Sequence, residues 1–254
     1  MTEKFKSEII ELPGSYGNRK VKLSRLFPET PNGVHVLLLH GVHSSANLSS
    51  KNKFSHIAQI LAERGYTPWL CETSRRSTDK TEFDDELSRV LTLFNGKTFG
   101  DESSDCAEAL KYVALQNPRE LWLWGFSLGG IIAVLLACTG NIPIEKVIVS
   151  GSGFSCLPEA AAAMLHLPIL STLFSTIDSS QLDNFRANEI ISFHGTEDHI
   201  FSEENAIELL EKINLPPEKK RFYSVKDADH SLKVRNGKYD LTIMDEMVDK
   251  ILSE

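Results

Sequence analysis

LWLWGFSLGGIIAVLLA, residues 121–137, decides the fold. Leu121 to Trp124 is a short β-prone run that passes into Gly125-Phe126-Ser127-Leu128-Gly129, and a helix-prone apolar run starts at Ile131. A G-x-S-x-G pentapeptide is a weak signal by itself, because any loop can carry it. Between a strand and a helix it specifies a sharp turn with the serine in a strained conformation, and the neighbours two residues away must be small. Glycine at 125 and 129 meets that demand. The turn lifts the Ser127 hydroxyl above the sheet and aims the first helix amides, including that of Leu128, at the space beside it.

Outward from this stretch, strand-like and helix-period segments alternate. Val34 to Leu39, Tyr66 to Cys71, Lys146 to Ser150 and Ile190 to Phe193 are apolar, β-prone runs of the kind found in central parallel strands buried on both faces. Between them, Phe54, Ile57, Ala58 and Leu61 repeat at helical spacing, with Gly65 as the expected C-terminal cap. Cys106, Ala109, Leu110 and Val113 repeat the pattern, as do Met244, Met247, Val248 and Ile251. This rhythm predicts a parallel sheet covered by helices on both sides. Two segments stand outside it. Phe83, Leu87, Val90, Leu91 and Phe94 share one face of an extra helix stopped at Asn95-Gly96, and are expected to make core contacts, with lining of the acyl pocket the alternative. Residues 153–187 carry Phe154, Leu157, Met164, Leu165, Leu167, Leu170 and Phe174, more apolar side chains than one crossover helix requires, and read as a small lid. An ordinary crossover with a ragged loop is the alternative.

A serine nucleophile needs a base, and the base needs an acid to orient it. His230, in Asp227-Ala228-Asp229-His230-Ser231, follows the strand-like Arg221 to Val225 and precedes the last amphipathic helix, a loop position at the carboxyl edge of the sheet. It is the candidate base. His35 lies in a strand, His56 on a helix and His166 in the lid-like segment, which suits structural roles, while His194 and His199 stay open as groups behind the site. The run ending His194-Gly195-Thr196-Glu197-Asp198 presents two acids on a loop; Asp198 is preferred to Glu197, with Asp229 a weaker rival. The order Ser127, Asp198, His230 differs from the chymotrypsin and subtilisin orders. At the end of the Val34 to Leu39 run, Gly41 lets the chain turn so that the Val42 amide can point at a developing oxyanion. His40-x-x-His43 has no third ligand at a zinc spacing, so no metal is expected.

Composition bounds the rest. The 254 residues, 41% apolar and 24% charged, suit one α/β domain over 1–254, and the net charge of −8 disfavours nucleic acid and anionic lipid as partners. The first ten residues do not read as a secretory signal, and Leu128 to Cys138 is too short to cross a bilayer, so a cytoplasmic location without integral membrane association is expected. Cys71, Cys106, Cys138 and Cys156 form no CxxC pair and read as reduced, buried thiols.

The HG turn at His40-Gly41, FSHIAQILAERGY, GFSLGG, HGTEDHIFSEENA and DADHS together resemble the α/β-hydrolase superfamily, in particular its serine aminopeptidase-like, monoglyceride-lipase-like and cinnamoyl-esterase-like branches. The resemblance runs from about Val34 to the C-terminus. It implies a three-layer fold on an eight-stranded, mostly parallel sheet, a Ser127-Asp198-His230 triad and no cofactor, to which the turns at Gly41 and Ser127 add an oxyanion hole from the Val42 and Leu128 amides. The implied reaction is hydrolysis of an ester, thioester or amide through an acyl-enzyme, and a small carboxylic ester is the expected substrate. A thioesterase, a small-peptide hydrolase and a non-catalytic binding protein on the same fold are the alternatives. Phe154, Met164 and Leu165 are the expected substrate-binding residues. One departure is plain: relatives carry a D-x-R-G-x-G-x-S type turn where this chain reads Glu72-Thr73-Ser74-Arg75-Arg76-Ser77. Arg75 and Arg76 are either a solvated charged turn or a grip for an acidic substrate group.

Overall fold

Period-two alternation sorts the strand side chains into two buried layers. In β3 (Val34–Leu39), Val36 and Leu38 enter one layer and Leu37 and Leu39 the other; in β5 (Glu120–Phe126), Trp122 and Trp124 join the first, and Leu121 and Leu123 the second. A sheet apolar on both faces needs helices on both. The computed structural model describes residues 4–79, 83–164, 167–173, 179–233 and 241–253. Its other strands are β1 (Lys6–Pro13), β2 (Lys20–Phe27), β4 (Thr67–Glu72), β6 (Lys146–Ser150), β7 (Glu189–Gly195) and β8 (Lys220–Val225). They form one eight-stranded sheet in the order β1-β2-β4-β3-β5-β6-β7-β8. β2 pairs antiparallel with both β1 and β4, and every later pairing is parallel.

Helices α1 (Lys53–Glu63) and α8 (Leu241–Leu252) cover the Trp122/Trp124 face through Phe54, Ile57, Leu61, Met244, Met247 and Val248. On the opposite face lie α3 (Phe99–Ala114), α4 (Leu128–Thr139) and α7 (Glu203–Lys212). α1 starts where the Asn52 side chain accepts from the Phe54 amide, and Gly65 follows its end at φ +85°, where an added Cβ would lie 2.7 Å from the Thr30 carbonyl oxygen. α3 starts with a reciprocal capping box between Thr98 and Asp101.

Two expectations change. α2 (Glu86–Phe94) forms, capped by Asp85, but Leu87 and Leu91 are 67% and 41% exposed, so the predicted core face is wrong for them. The last turn packs inward: Leu93 and Phe94 are buried, with Phe94 stacked on His43 at 5.1 Å. Residues 153–187 hold α5 (Pro158–Met164), α6 (Pro168–Ser171) and a 3₁₀ turn at Ser179–Asn184. Met164 closes α5, whereas Leu165, His166 and Phe174 lie outside the described residues. Among the described residues no helix is long and apolar enough to cross a membrane.

Candidate active site

Ser127 sits between β5 and α4 at φ 52°, ψ −120°, a conformation that costs free energy for a non-glycine residue. The neighbours explain how it is held. A Cβ on Gly125 would fall 2.1 Å from the Gly129 carbonyl oxygen, and one on Gly129 would fall 2.5 Å from the His40 carbonyl oxygen, so both positions demand glycine for backbone clearance. The Ser127 amide donates to Ser150 O at 2.9 Å, and Ser152 Oγ donates to Ser127 O at 2.8 Å, fixing the turn from the end of β6.

Ser127 Oγ lies 2.8 Å from His230 Nε2, and His230 Nδ1 lies 3.0 Å from Asp198 Oδ2. The other Asp198 oxygen accepts from the Ile200 amide at 2.8 Å and the Phe201 amide at 3.1 Å, so the carboxylate is anchored by backbone and presents one oxygen to the imidazole. Burial by itself would raise the Asp198 carboxyl. The hydrogen bond and charge of His230, with the two amides, outweigh it and hold the group below the usual aspartate range. Asp198 is therefore an anion beside the imidazole. The Glu197 amide donates to Ala228 O at 2.9 Å, and Asp229 accepts from the Ser231 and Lys233 amides, shaping the loop that carries His230.

The remaining histidines separate cleanly. His199 is exposed, and His194 stacks on Phe222 with its ring centroid 6.4 Å away. His35 accepts from Trp69 Nε1 at 3.3 Å, and burial followed by the Arg25 charge pushes it down to about 4. His56 faces Asp245 at 3.5 Å. His40 and His43 diverge, the first into a buried polar network and the second onto Phe94.

Gly41 stands directly against the nucleophile, since a Cβ there would be 3.1 Å from Ser127 Cβ. Val42 and Leu128 flank Ser127 in an apolar cavity of about 150 Å³, walled by Ile131, Phe154, Leu173, Leu182 and Phe201 among others. Phe154 thus stands where a substrate contact was expected. A wider, more polar cleft of about 510 Å³ opens on the other side of Ser127, bordered by Gly41, His43, Ser44, Lys53 and His230. Arg75 and Arg76 line neither space. Arg75 lies over the Phe94 ring at 4.9 Å with Nε donating to Thr73 O, and Arg76 Nε donates to Tyr16 Oη at 2.7 Å, so both pack against the turn.

Sequence reasoning missed three contributors. Gly151, at φ +59°, packs against His230, where a Cβ would be 2.8 Å from its carbonyl oxygen. Ser152 braces the turn, as above. Lys53 Nζ lies 4.2 Å from the Phe126 ring centroid and donates to Ser231 O at 3.1 Å, joining the chain beside the serine to the chain beside the histidine. A glycine and a serine immediately after a buried strand that ends in serine, Ser150-Gly151-Ser152, were the available signal for the first two; nothing local marks Lys53.

Residues 30–249 match the model of the dienelactone hydrolase family. No curated protein sequence matches the chain significantly. Among solved structures the chain is similar to a dienelactone hydrolase from Anabaena variabilis, with 17% identity, 98% and 97% of the two chains covered, and a TM-score of 0.63. It is also similar to XC6422 from Xanthomonas campestris, an α/β serine hydrolase without a lid, with 16% identity, 98% and 96% covered, and a TM-score of 0.64. Est1E from Butyrivibrio proteoclasticus, bound to ferulic acid, superposes with a TM-score of 0.69 at 14% identity, with 92% and 94% covered. These likenesses show the α/β-hydrolase fold.

Proposed function

Because the chain belongs to the dienelactone hydrolase family and is a carboxylic ester hydrolase on the α/β-hydrolase fold, we propose that Ser127, His230 and Asp198 are its catalytic triad and that it cleaves esters of small apolar acids. The observation that carries this reading is the unbroken hydrogen-bond path from Ser127 Oγ through His230 to an anchored Asp198, opening on one side to an apolar cavity and on the other to a polar cleft.

His230 Nε2 takes the hydroxyl proton as Ser127 Oγ bonds to the carbonyl carbon. The carbonyl oxygen becomes an oxyanion held by the amides of Val42 and Leu128, the latter at the positive end of α4; each such donor is worth about 3 kcal/mol in the transition state. His230 then passes the proton to the leaving oxygen as the ester C–O bond breaks. The alcohol departs through the polar cleft and the acyl group stays on Ser127. Water, deprotonated by His230, attacks the acyl carbon, and the proton returns to Ser127 Oγ as the acid is released. Asp198 stays ionised and stabilises the imidazolium at each stage.

The cavity sets the acyl group. An apolar cavity of about this size holds benzene, so about six carbons, as a straight chain or a single ring, fill it. Phe154, Leu170, Leu173 and Leu182 contribute to that wall. The test is labelling by a fluorophosphonate probe together with turnover of p-nitrophenyl esters: the native chain should do both and Ser127→Ala neither. Undiminished labelling of folded Ser127→Ala refutes the assignment.

A further inference from the structure

Beneath the turn that follows β4, three charged side chains are almost wholly buried: Lys97, Glu102 and Asp105 are each at most 1% exposed. Lys97 Nζ lies 2.5 Å from Glu102 Oε2 and 3.2 Å from Asp105 Oδ2, and donates to Ser74 O at 2.6 Å. Asp105 accepts from the Ser74 amide and hydroxyl and, from the far side, from Ser15. Thr73 Oγ1 lies 3.1 Å from both Glu102 Oε1 and His40 Nε2. Burying such a set is expensive and contributes little net stability against an apolar replacement, so its value lies in the geometry it specifies.

What it specifies is the His40 ring. His40 Nδ1 lies 2.8 Å from Gly41 O. A carbonyl oxygen only accepts, so Nδ1 carries the hydrogen and Nε2 of the neutral ring accepts, from the Thr73 hydroxyl at 3.1 Å and the Thr73 amide at 3.4 Å. Burial favours that neutral form, with Glu102 partly offsetting it. The Gly41 carbonyl and the Val42 N–H belong to one planar trans peptide and point in opposite directions. Pinning the carbonyl to the His40 ring therefore fixes the direction of the Val42 N–H, opposite to the carbonyl, in the stretch of chain that borders Ser127 through Gly41 and Val42.

Resting on the serine-hydrolase reading above, we propose that His40, held by Thr73 and the buried Lys97-Glu102-Asp105 cluster, is the positioning residue that sets the Val42 half of the oxyanion hole. The atypical Glu72-Thr73-Ser74 turn is the part of the sequence that makes this hold available.

The experiment compares His40→Asn, whose amide nitrogen stands near the position of Nδ1 and retains the donor to Gly41, with His40→Gln, whose amide reaches toward Nε2 and loses it. For a p-nitrophenyl ester, His40→Gln should lower kcat about 10- to 100-fold with KM within twofold, less than outright removal of a donor, and His40→Asn should recover about tenfold of that. Affinity for a trifluoromethyl ketone, which forms a tetrahedral oxyanion on Ser127, should fall in step with kcat/KM, while the Ki of a simple carboxylate product stays level. Should His40→Gln not fold, Thr73→Val carries the test, expected to lower kcat several-fold with rescue by Thr73→Ser. Equal kcat in His40→Gln and the native enzyme overturns the proposal, as does His40→Asn no better than His40→Gln, or ketone affinity that does not move. For Thr73→Val, unchanged kcat or no rescue by serine overturns it equally. A native enzyme that hydrolyses no ester would instead overturn the parent reading.

Discussion

Chain-length selectivity is the most direct reading of the acyl cavity. Each methylene moved from water into it is worth about 0.8 kcal/mol, or about fourfold in kcat/KM when the gain is kept in the transition state. Hexanoate buries four methylenes more than acetate, so the native enzyme should favour p-nitrophenyl hexanoate by about 3 kcal/mol, roughly 200-fold, as an upper bound. Decanoate gains nothing further, because a cavity of about 150 Å³ is already full. Leu182, in the 3₁₀ turn at Ser179–Asn184, is 2% exposed and faces the cavity, so a larger ring there has the empty space to enter. Leu182→Phe that displaces about two methylenes should cost hexanoate about 1.6 kcal/mol, roughly 15-fold, leave acetate unchanged, and move the optimum to butyrate. The assay is kcat/KM across the acetate to decanoate series for both proteins. A native optimum at acetate, or a Leu182→Phe variant that lowers every ester by one common factor, refutes the reasoning.

Asp198→Asn should reduce kcat by about 10⁴-fold with little change in melting temperature, since it mis-sets the imidazole tautomer, whereas Glu197→Gln should retain most activity; steady-state kinetics on the pair decides between the acids. Gly129→Ala forces a Cβ to within 2.5 Å of the His40 carbonyl oxygen, and should lose about 1–3 kcal/mol in urea unfolding while suppressing ester turnover. Burial opposes ionisation of Asp105, but Lys97, Ser74 and Ser15 outweigh it and hold its carboxyl below the ordinary value. Its stabilising contribution is therefore full above the unfolded value of about 3.9 and is lost as pH falls through the lower folded one. Asp105→Asn should lose about 3 kcal/mol at neutral pH and show a flatter stability profile below about pH 4 in chemical denaturation.

The core of the fold was legible because its strands are buried on both faces and so read as continuous apolar runs; Val34–Leu39 and Lys146–Ser150 form with the boundaries expected. The hairpin of β1 and β2 was not, because β1 is an edge strand whose side chains are all half-buried or exposed, with Ile9 65% exposed, and no long apolar run marks it. The amphipathic face assigned to α2 failed in part for a related reason. Helical spacing states which residues share a face but not whether anything packs on it, and Leu87 and Leu91 stay exposed while Phe94 and its neighbour Leu93 are buried.

The site divides along the same line. Ser127, Asp198 and His230 each lie in or beside a short local pattern at the carboxyl end of a strand, and the parallel sheet brings those ends to one edge, so their meeting follows from topology. What surrounds them comes from residues whose meaning is set only by contact across the chain. Gly151 acts on His230, 79 positions away, and Lys53 reaches Ser231 from the first turn of α1. The turn after β4 shows the limit most clearly. In the sequence, Glu72-Thr73-Ser74-Arg75-Arg76 draws the eye to its two arginines, and charge suggests a substrate grip. In the structure the arginines pack on Phe94 and Tyr16 while the smaller Thr73 and Ser74 turn inward to meet a buried lysine and two carboxylates. Conspicuous charge on a turn is cheaply solvated and carries little information about a site. A buried hydroxyl must find a partner, and following its partners leads from the turn to His40 and from there to the peptide beside Ser127.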